Sequence, residues 1–378
     1  MISIATMRDL PSEILAMLTN DNPVGLEALL RQADGERRCQ VGDEVHLRGI
    51  LEIANVCARR CQYCGMHAGR KALVRYRMPE DEILDLCIEL SAAGFGTVVL
   101  QSGEDPGISC DSIVKLITKI KLATSLAITL SLGERSREDL QAWKQAGADR
   151  YLMKFETSSP ELFNRIHPSP GGWHARLRQL ALLRELGFET GTGMMIGVPG
   201  STYGDLVRDL LLLKDLQPDM IGIGPFIAHP DTPLGEELSR GGKPHEGIRQ
   251  TVKGTASKAG RQVPADDNTT LKAMAIARLL CPTANITVTT ALQTISPEEG
   301  LAAGICSGAN VIMPNFTPIK YRQLYDLYPR PQSAEKSSAE TFQELKDFLE
   351  SQNRRPGSGA GTSIGFLNRI NPRNVEAC

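Results

Sequence analysis

Three thiols fall within eight residues in the stretch Cys57-Ala-Arg-Arg-Cys61-Gln-Tyr-Cys64. Thiolates at this spacing bind soft metals, and with reduced cysteines they point to iron–sulfur or zinc rather than to disulfides. Three ligands from one loop leave one coordination position open. On zinc that position would carry a water. On a cube of four irons it leaves one iron free to take up a small molecule. A zinc knuckle or a chance group of buried thiols would use the same residues, so the triad alone does not choose.

The elements that must hold this loop are legible in the surrounding periodicity. Short apolar runs at 46–55, 97–101, 126–131, 150–155, 189–196, 220–224, 286–290 and 310–313 predict strands. Amphipathic segments at 79–93, 111–123, 137–146, 175–186, 203–216, 270–280 and 298–303 predict helices between them, with glycines at 94, 147, 187 and 304 placed to stop them. About eight β–α repeats describe an α/β chain folded as a (β/α)8 TIM-type barrel, with its site at the C-terminal ends of the strands. No Gly-x-Gly-x-x-Gly follows the first strand, which disfavours a Rossmann sheet.

Residues 1–45 predict an N-terminal helical extension, 46–330 the barrel, and 331–378 a tail. The tail carries a helix at 339–351 and a glycine-rich, linker-like stretch from 354 to 361. A polar, glycine-rich excursion at 236–268 interrupts the barrel and reads as a lid or an unstructured loop.

The chain has 378 residues, 42 basic and 44 acidic, so no electrostatic footprint for nucleic acid is present. No secretory signal and no apolar run long enough to span a membrane is seen. Nine cysteines, an odd number and scattered outside the triad, fit a reducing cytoplasm better than a disulfide framework.

Polar residues at predicted strand ends are the next candidates. The second strand runs into Gln101-Ser102-Gly103-Glu104-Asp105, where a glycine turn lets backbone and carboxylate approach a ligand ammonium. The fourth ends in Lys154-Phe155-Glu156, a cation beside a carboxylate able to accept from both hydroxyls of a ribose. Arg176 could clamp a carboxylate bidentately. Ile196 and Phe226 suit the flat face of an adenine, although apolar strand ends are usually core. Arg48, Thr129, Thr289, Thr290, Met313, Tyr321 and Tyr325 are candidates deeper in the barrel. A buried arginine needs an anionic partner, so Arg48 suggests an anionic substrate group unless it pairs with Glu52 or reaches the bottom rim.

The x3–x2 cysteine spacing, with Tyr63 just before the last Cys, resembles the signature of the radical S-adenosylmethionine (SAM) superfamily. The phrases Leu100-Gln-Ser-Gly-Glu-Asp-Pro106, Leu130-Ser-Leu-Gly-Glu134, Gly222-Ile-Gly-Pro-Phe-Ile-Ala-His-Pro-Asp-Thr-Pro-Leu234 and Ala309-Asn-Val-Ile-Met-Pro-Asn315 resemble more closely the HydE maturases of FeFe-hydrogenase. The likeness runs from about residue 47 to 328. It implies one 4Fe-4S cluster on Cys57, Cys61 and Cys64, with its free iron chelated by the amino and carboxylate groups of SAM. Glu156 would hold the SAM ribose and Arg176 its carboxylate, with Tyr63, Ser102, Gly103, Ile196 and Phe226 completing the cofactor pocket. Arg48, Gln101, Thr129, Lys154, Thr289, Thr290, Met313, Tyr321 and Tyr325 would line the substrate cavity.

The resemblance implies a small organometallic or amino-acid-like substrate: an iron complex bearing carbon monoxide and cyanide on a cysteine ligand. Partner maturases and a reductant such as ferredoxin or flavodoxin are implied with it. Three departures stand out. The tail holds only Cys378 where many relatives carry three cysteines for a second cluster. Lys154-Phe155 replaces an expected Arg-His, and the excursion is long. Methylornithine synthase is the nearest rival enzyme, biotin synthase loses its extra cluster ligands, and an iron-complex carrier is the non-enzymatic rival.

Overall fold

The longest strand, Glu44–Ala54 (β1), is buried along nearly its whole length, as a strand covered on both faces must be. The computed structural model describes residues 9–240, 258–329 and 336–371. Around β1 the chain lays down Thr97–Ser102 (β2), Ala127–Ser131 (β3), Arg150–Leu152 (β4), Glu189–Ile196 (β5), Met220–Pro225 (β6), Asn285–Val288 (β7) and Val311–Ile312 (β8). The order is β2-β3-β4-β5-β6-β7-β8-β1, and β1 pairs β2 to close the ring. The pairings are parallel, with Arg48 opposite Thr97 and Leu51 opposite Leu100 where the ring closes. This is the (β/α)8 barrel expected from the alternation of apolar runs and helices.

The helices stop and start where the sequence supplies caps. Ser136 and Ser159 accept from the backbone of the first turns of Arg137–Ala146 and Pro160–Ile166, and Thr202 with Asp205 forms a reciprocal capping box. Two N-terminal helices, Leu10–Leu18 and Pro23–Val41, pack on the side of the barrel against Asp267–Leu280. Lys272 donates to the carbonyl of Leu18 at 3.3 Å.

Several boundaries differ from expectation. The seventh strand ends at Val288, because Thr289 instead caps the helix Thr290–Ile295 by accepting from Leu292 N–H. The helix Pro160–Ile166 is an addition, and the helix carrying Arg176 starts earlier, at Gly172. Residues 241–257 of the excursion and Cys378 lie outside the described residues. The arm that follows packs on the end of β5, where Gly197 has a positive φ of 78° and a side chain would collide with Ala265.

The largest correction concerns the stretch read as linker-like. Arg355–Pro356 (β9) adds to β1, and residues 357–363 cross beneath the barrel as its floor. Ala360 O accepts from Thr97 Oγ1 at 3.0 Å and from Arg150 Nη2 at 2.6 Å. Gly361 O accepts from Arg48 Nη2 and Asn285 Nδ2, at 3.0 and 2.9 Å. Ser363 N–H donates to Glu189 at 2.9 Å, and Arg369 makes a bidentate pair with Asp219. The glycines here serve close approach: a side chain on Gly96 would meet Gly359 O at 1.6 Å. Close backbone contact and flexibility use the same residue, so composition alone misleads.

Candidate active site

The C-terminal ends of the strands open onto a cavity of about 360 Å³, large enough for a ligand of nucleoside size. Cys57, Cys61 and Cys64 share one wall of it. Gly103 is what allows the loop after β2 to pass against the cysteine loop, since a side chain there would meet Val56 O at 2.3 Å. The amides of Arg59 and Glu104 both lie 3.4 Å from Cys57 Sγ. Burial pushes the Cys64 thiol up to about 12, and Cys61 well above its ordinary range. Left to themselves these thiols stay protonated and are poor nucleophiles. A metal charge would deprotonate them, and amide donors already face one sulfur. The donor set therefore fits a cluster held by three thiolates.

Also lining the cavity, Glu156 adopts a left-handed backbone with φ 64°. For a non-glycine residue that costs about 1–2 kcal/mol, and the neighbours hold it there. Its N–H donates to Gly193 O at 3.1 Å and its carbonyl accepts from Met195 N–H at 3.0 Å. Behind it, buried Asp209 accepts from Ser158 N–H at 2.5 Å and from Thr157 Oγ1 at 3.3 Å. Burial raises Asp209 to about 7, against the pull of those bonds. The result aims the Glu156 carboxylate at the cavity, 3.5 Å from the Tyr63 hydroxyl.

Arg176 lies within a chain of charge. Its Nε is 3.0 Å from Glu134 Oε1, and Nη1 donates to Lys154 O at 2.5 Å. The other oxygen of Glu134 pairs at 2.9 Å with Arg59, which also pairs with Glu104. Arg59 belongs to the cysteine loop, so this network ties the triad to Arg176. Lys154 lines the cavity, its ammonium meets no partner among the described residues, and Gly222 leaves room for its side chain. Phe155 points the other way and is core.

Most predicted residues meet in this cavity. Tyr63, Ser102, Gly103 and Phe226 line it, as do Gln101, Thr289, Thr290, Met313 and Tyr325. Gln101 donates to the Tyr325 hydroxyl at 3.1 Å. Four do not join them. Ile196 is buried in the core, and the neighbouring Met195 faces the cavity instead. Tyr321 stacks on Tyr76 at 4.8 Å and donates to Glu82, outside the barrel mouth. Arg48 and Thr129 lie lower, around a void of about 20 Å³ above the floor. Arg48 makes no ion pair among the described residues: its hydrogen bonds go to Met220 Sδ and Gly361 O, with the buried Glu189 carboxylate near enough to favour its charge.

Sequence reasoning missed Arg59, Glu134 and His167. A charged residue on a loop has no period, and its partner is chosen by the fold. His167, in Arg-Ile-His-Pro, gives no spacing signal at all. Only Arg59 carried a hint, being inside the cysteine motif.

The profile of the Radical SAM superfamily matches residues 51–241, the part of the chain that carries the triad, Glu156 and Arg176. Barrel, thiols and cavity thus define a protein of that class. The chain is 43% identical over 355 residues, 94% of each chain, to the [FeFe] hydrogenase maturase subunit HydE of Thermotoga maritima. It belongs to the HydE family of radical SAM enzymes. Among solved structures, methylornithine synthase (PylB) matches with a TM-score of 0.73 at 21% identity, covering 92% of this chain and 97% of that one. The hydrogenase maturase HydG matches with a TM-score of 0.73 at 17% identity, covering 95% and 76%. At those identities both speak for the fold. No described helix is long and apolar enough to cross a membrane.

Proposed function

We infer that this chain is a radical SAM maturase acting in assembly of the FeFe-hydrogenase active-site cluster. The observation that carries the reading is the 43% identity over 94% of the chain to HydE, with the cysteine triad on the cavity wall. Cys57, Cys61 and Cys64 would hold a 4Fe-4S cluster and Glu156, Arg176 and Phe226 would hold SAM. A cluster held there would supply the single electron that cleaves SAM reductively to methionine and a 5′-deoxyadenosyl radical. The chain's own part is to bind, orient and keep water out. Glu156 presents two acceptor oxygens to a ribose. Arg176, already fixed by Glu134 and Lys154 O, has N–H groups left for a carboxylate. The floor seals the far end, so a radical formed at the mouth meets substrate rather than solvent.

Lys154 supports an anionic substrate. An ammonium lining a cavity without a partner favours a negatively charged ligand, and the cyanide-bearing iron complex implied by the family would supply one. Lysine makes a point-charge contact where a guanidinium would make two parallel bonds. Partner maturases would deliver that complex, and a small one-electron protein such as ferredoxin or flavodoxin would supply the reductant. One cluster is proposed, because the cysteines described outside the triad stand apart from it and from one another in the sequence.

Anaerobic reconstitution should give ~4 irons per chain, lost when the three triad cysteines become alanine. With a reductant the chain should cleave SAM, and in a defined maturation mixture it should activate hydrogenase. Iron near twice that value and surviving loss of the triad would overturn the single cluster. Ready SAM cleavage without activation would assign a different substrate.

A further inference from the structure

His167 has no task in the function above, yet it is buried at the centre of the site. Its Nε2 lies 2.8 Å from Arg176 Nη2. Its Nδ1 lies 3.1 Å from Cys61 Sγ and 3.2 Å from the Tyr63 hydroxyl. A guanidinium nitrogen can only donate, so Nε2 must offer its lone pair. The single proton of a neutral imidazole then sits on Nδ1.

The ring has little freedom to do otherwise. Phe163 packs against it at 5.1 Å between centroids, and Arg176 lies over the same phenyl ring at 5.3 Å. The His167 N–H closes the helix Pro160–Ile166 by donating to Phe163 O at 2.7 Å. The preceding carbonyl, Ile166 O, accepts from Gln62 N–H at 2.8 Å, which ties this turn to the cysteine loop.

We propose that His167 is a positioning residue that couples the two halves of the cofactor site, donating from Nδ1 to the sulfur of Cys61 while Nε2 fixes Arg176. This rests on the reading that the triad binds the cluster and Arg176 faces SAM. A hydrogen bond to a ligating sulfur withdraws charge and favours the reduced cluster. An acceptor at Nη2 sets the plane of the guanidinium, so its free N–H groups face the cavity. Ordering SAM at Arg176 therefore also orders the donor on Cys61.

The test uses two variants. His167→Leu removes both contacts. His167→Asn returns a donor near the Nδ1 position without an acceptor at Nε2. Reconstituted proteins are titrated electrochemically with EPR detection, and SAM binding is measured by calorimetry without turnover. His167→Leu should lower the ratio of reduced to oxidised cluster at fixed poise about tenfold, a shift of 59 mV for one electron. It should weaken SAM binding about ten- to a hundredfold. His167→Asn should recover the potential and not the affinity. Unchanged potential and affinity in His167→Leu overturn the proposal, as does a potential that His167→Asn fails to recover. Nitrogen-15 NMR of the histidine-labelled wild-type chain reads the tautomer even if a variant fails to load. A proton on Nε2 overturns the proposal outright. A wild type that binds no iron on the triad would instead overturn the functional reading.

Discussion

At the floor of the barrel Arg150, Glu189, Arg48 and Asp219 are closed by the chain itself. At the mouth Lys154, Glu156 and Arg176 are held by the chain but keep atoms facing a cavity. The two ends use the same residue types, and the difference lies in what arrives opposite them. Below, carbonyls and amides of 360–363 complete the bonds of a fully buried ion pair, Arg150 Nε to Glu189 Oε2 at 2.5 Å. Above, the partners are mostly other side chains, with the Lys154 carbonyl on Arg176, arranged so that a carboxylate and an ammonium remain for a ligand. A buried charge thus marks a binding site only when the fold has left it something to bind.

The largest expected effect falls on the floor. Arg150→Leu leaves Glu189 buried without its cation and should cost about 3–5 kcal/mol of stability, read by denaturant unfolding. If the variant keeps wild-type stability, the floor is not the closed structure described. At the mouth, Glu156→Ala and Arg176→Ala should each weaken SAM binding roughly ten- to a hundredfold, since a hydrogen bond to a charged group contributes about 1.5–3 kcal/mol. Iron content should stay normal. Equal SAM affinity in both would erase the contrast from the upper side. The smallest effect is expected of Arg48→Met. It should lose about 1 kcal/mol, one hydrogen bond to Gly361 O, and leave hydrogenase activation near wild type. Loss of activation at full stability would move Arg48 from the floor to the substrate.

How far the sequence carried this comparison depends on the end considered. Strand and helix alternation gave the barrel, and motif spacing gave the triad, because both repeat or cluster along the chain. The mouth was readable where a residue stands at a strand end, as with Glu156 and Lys154. It was unreadable at His167 and Glu134, whose roles come from neighbours distant in sequence. The floor itself read as linker, although the bottom rim stood open as a place for Arg48. Arg48 looked like a substrate ligand because its partner, Gly361, is 313 residues away and contributes only a carbonyl. No side-chain pattern announces a backbone acceptor.

That separation has a bearing on synthesis at the ribosome. The inner end of β1 emerges early, yet the carbonyl that satisfies Arg48 is made 313 residues later. At roughly 5–20 residues per second, about 15–60 s pass between the two. Throughout that interval the nascent barrel has charged groups at its base still exposed to water. The eight-stranded ring has all its strands by residue 312, so the floor is the last part of the barrel to be closed.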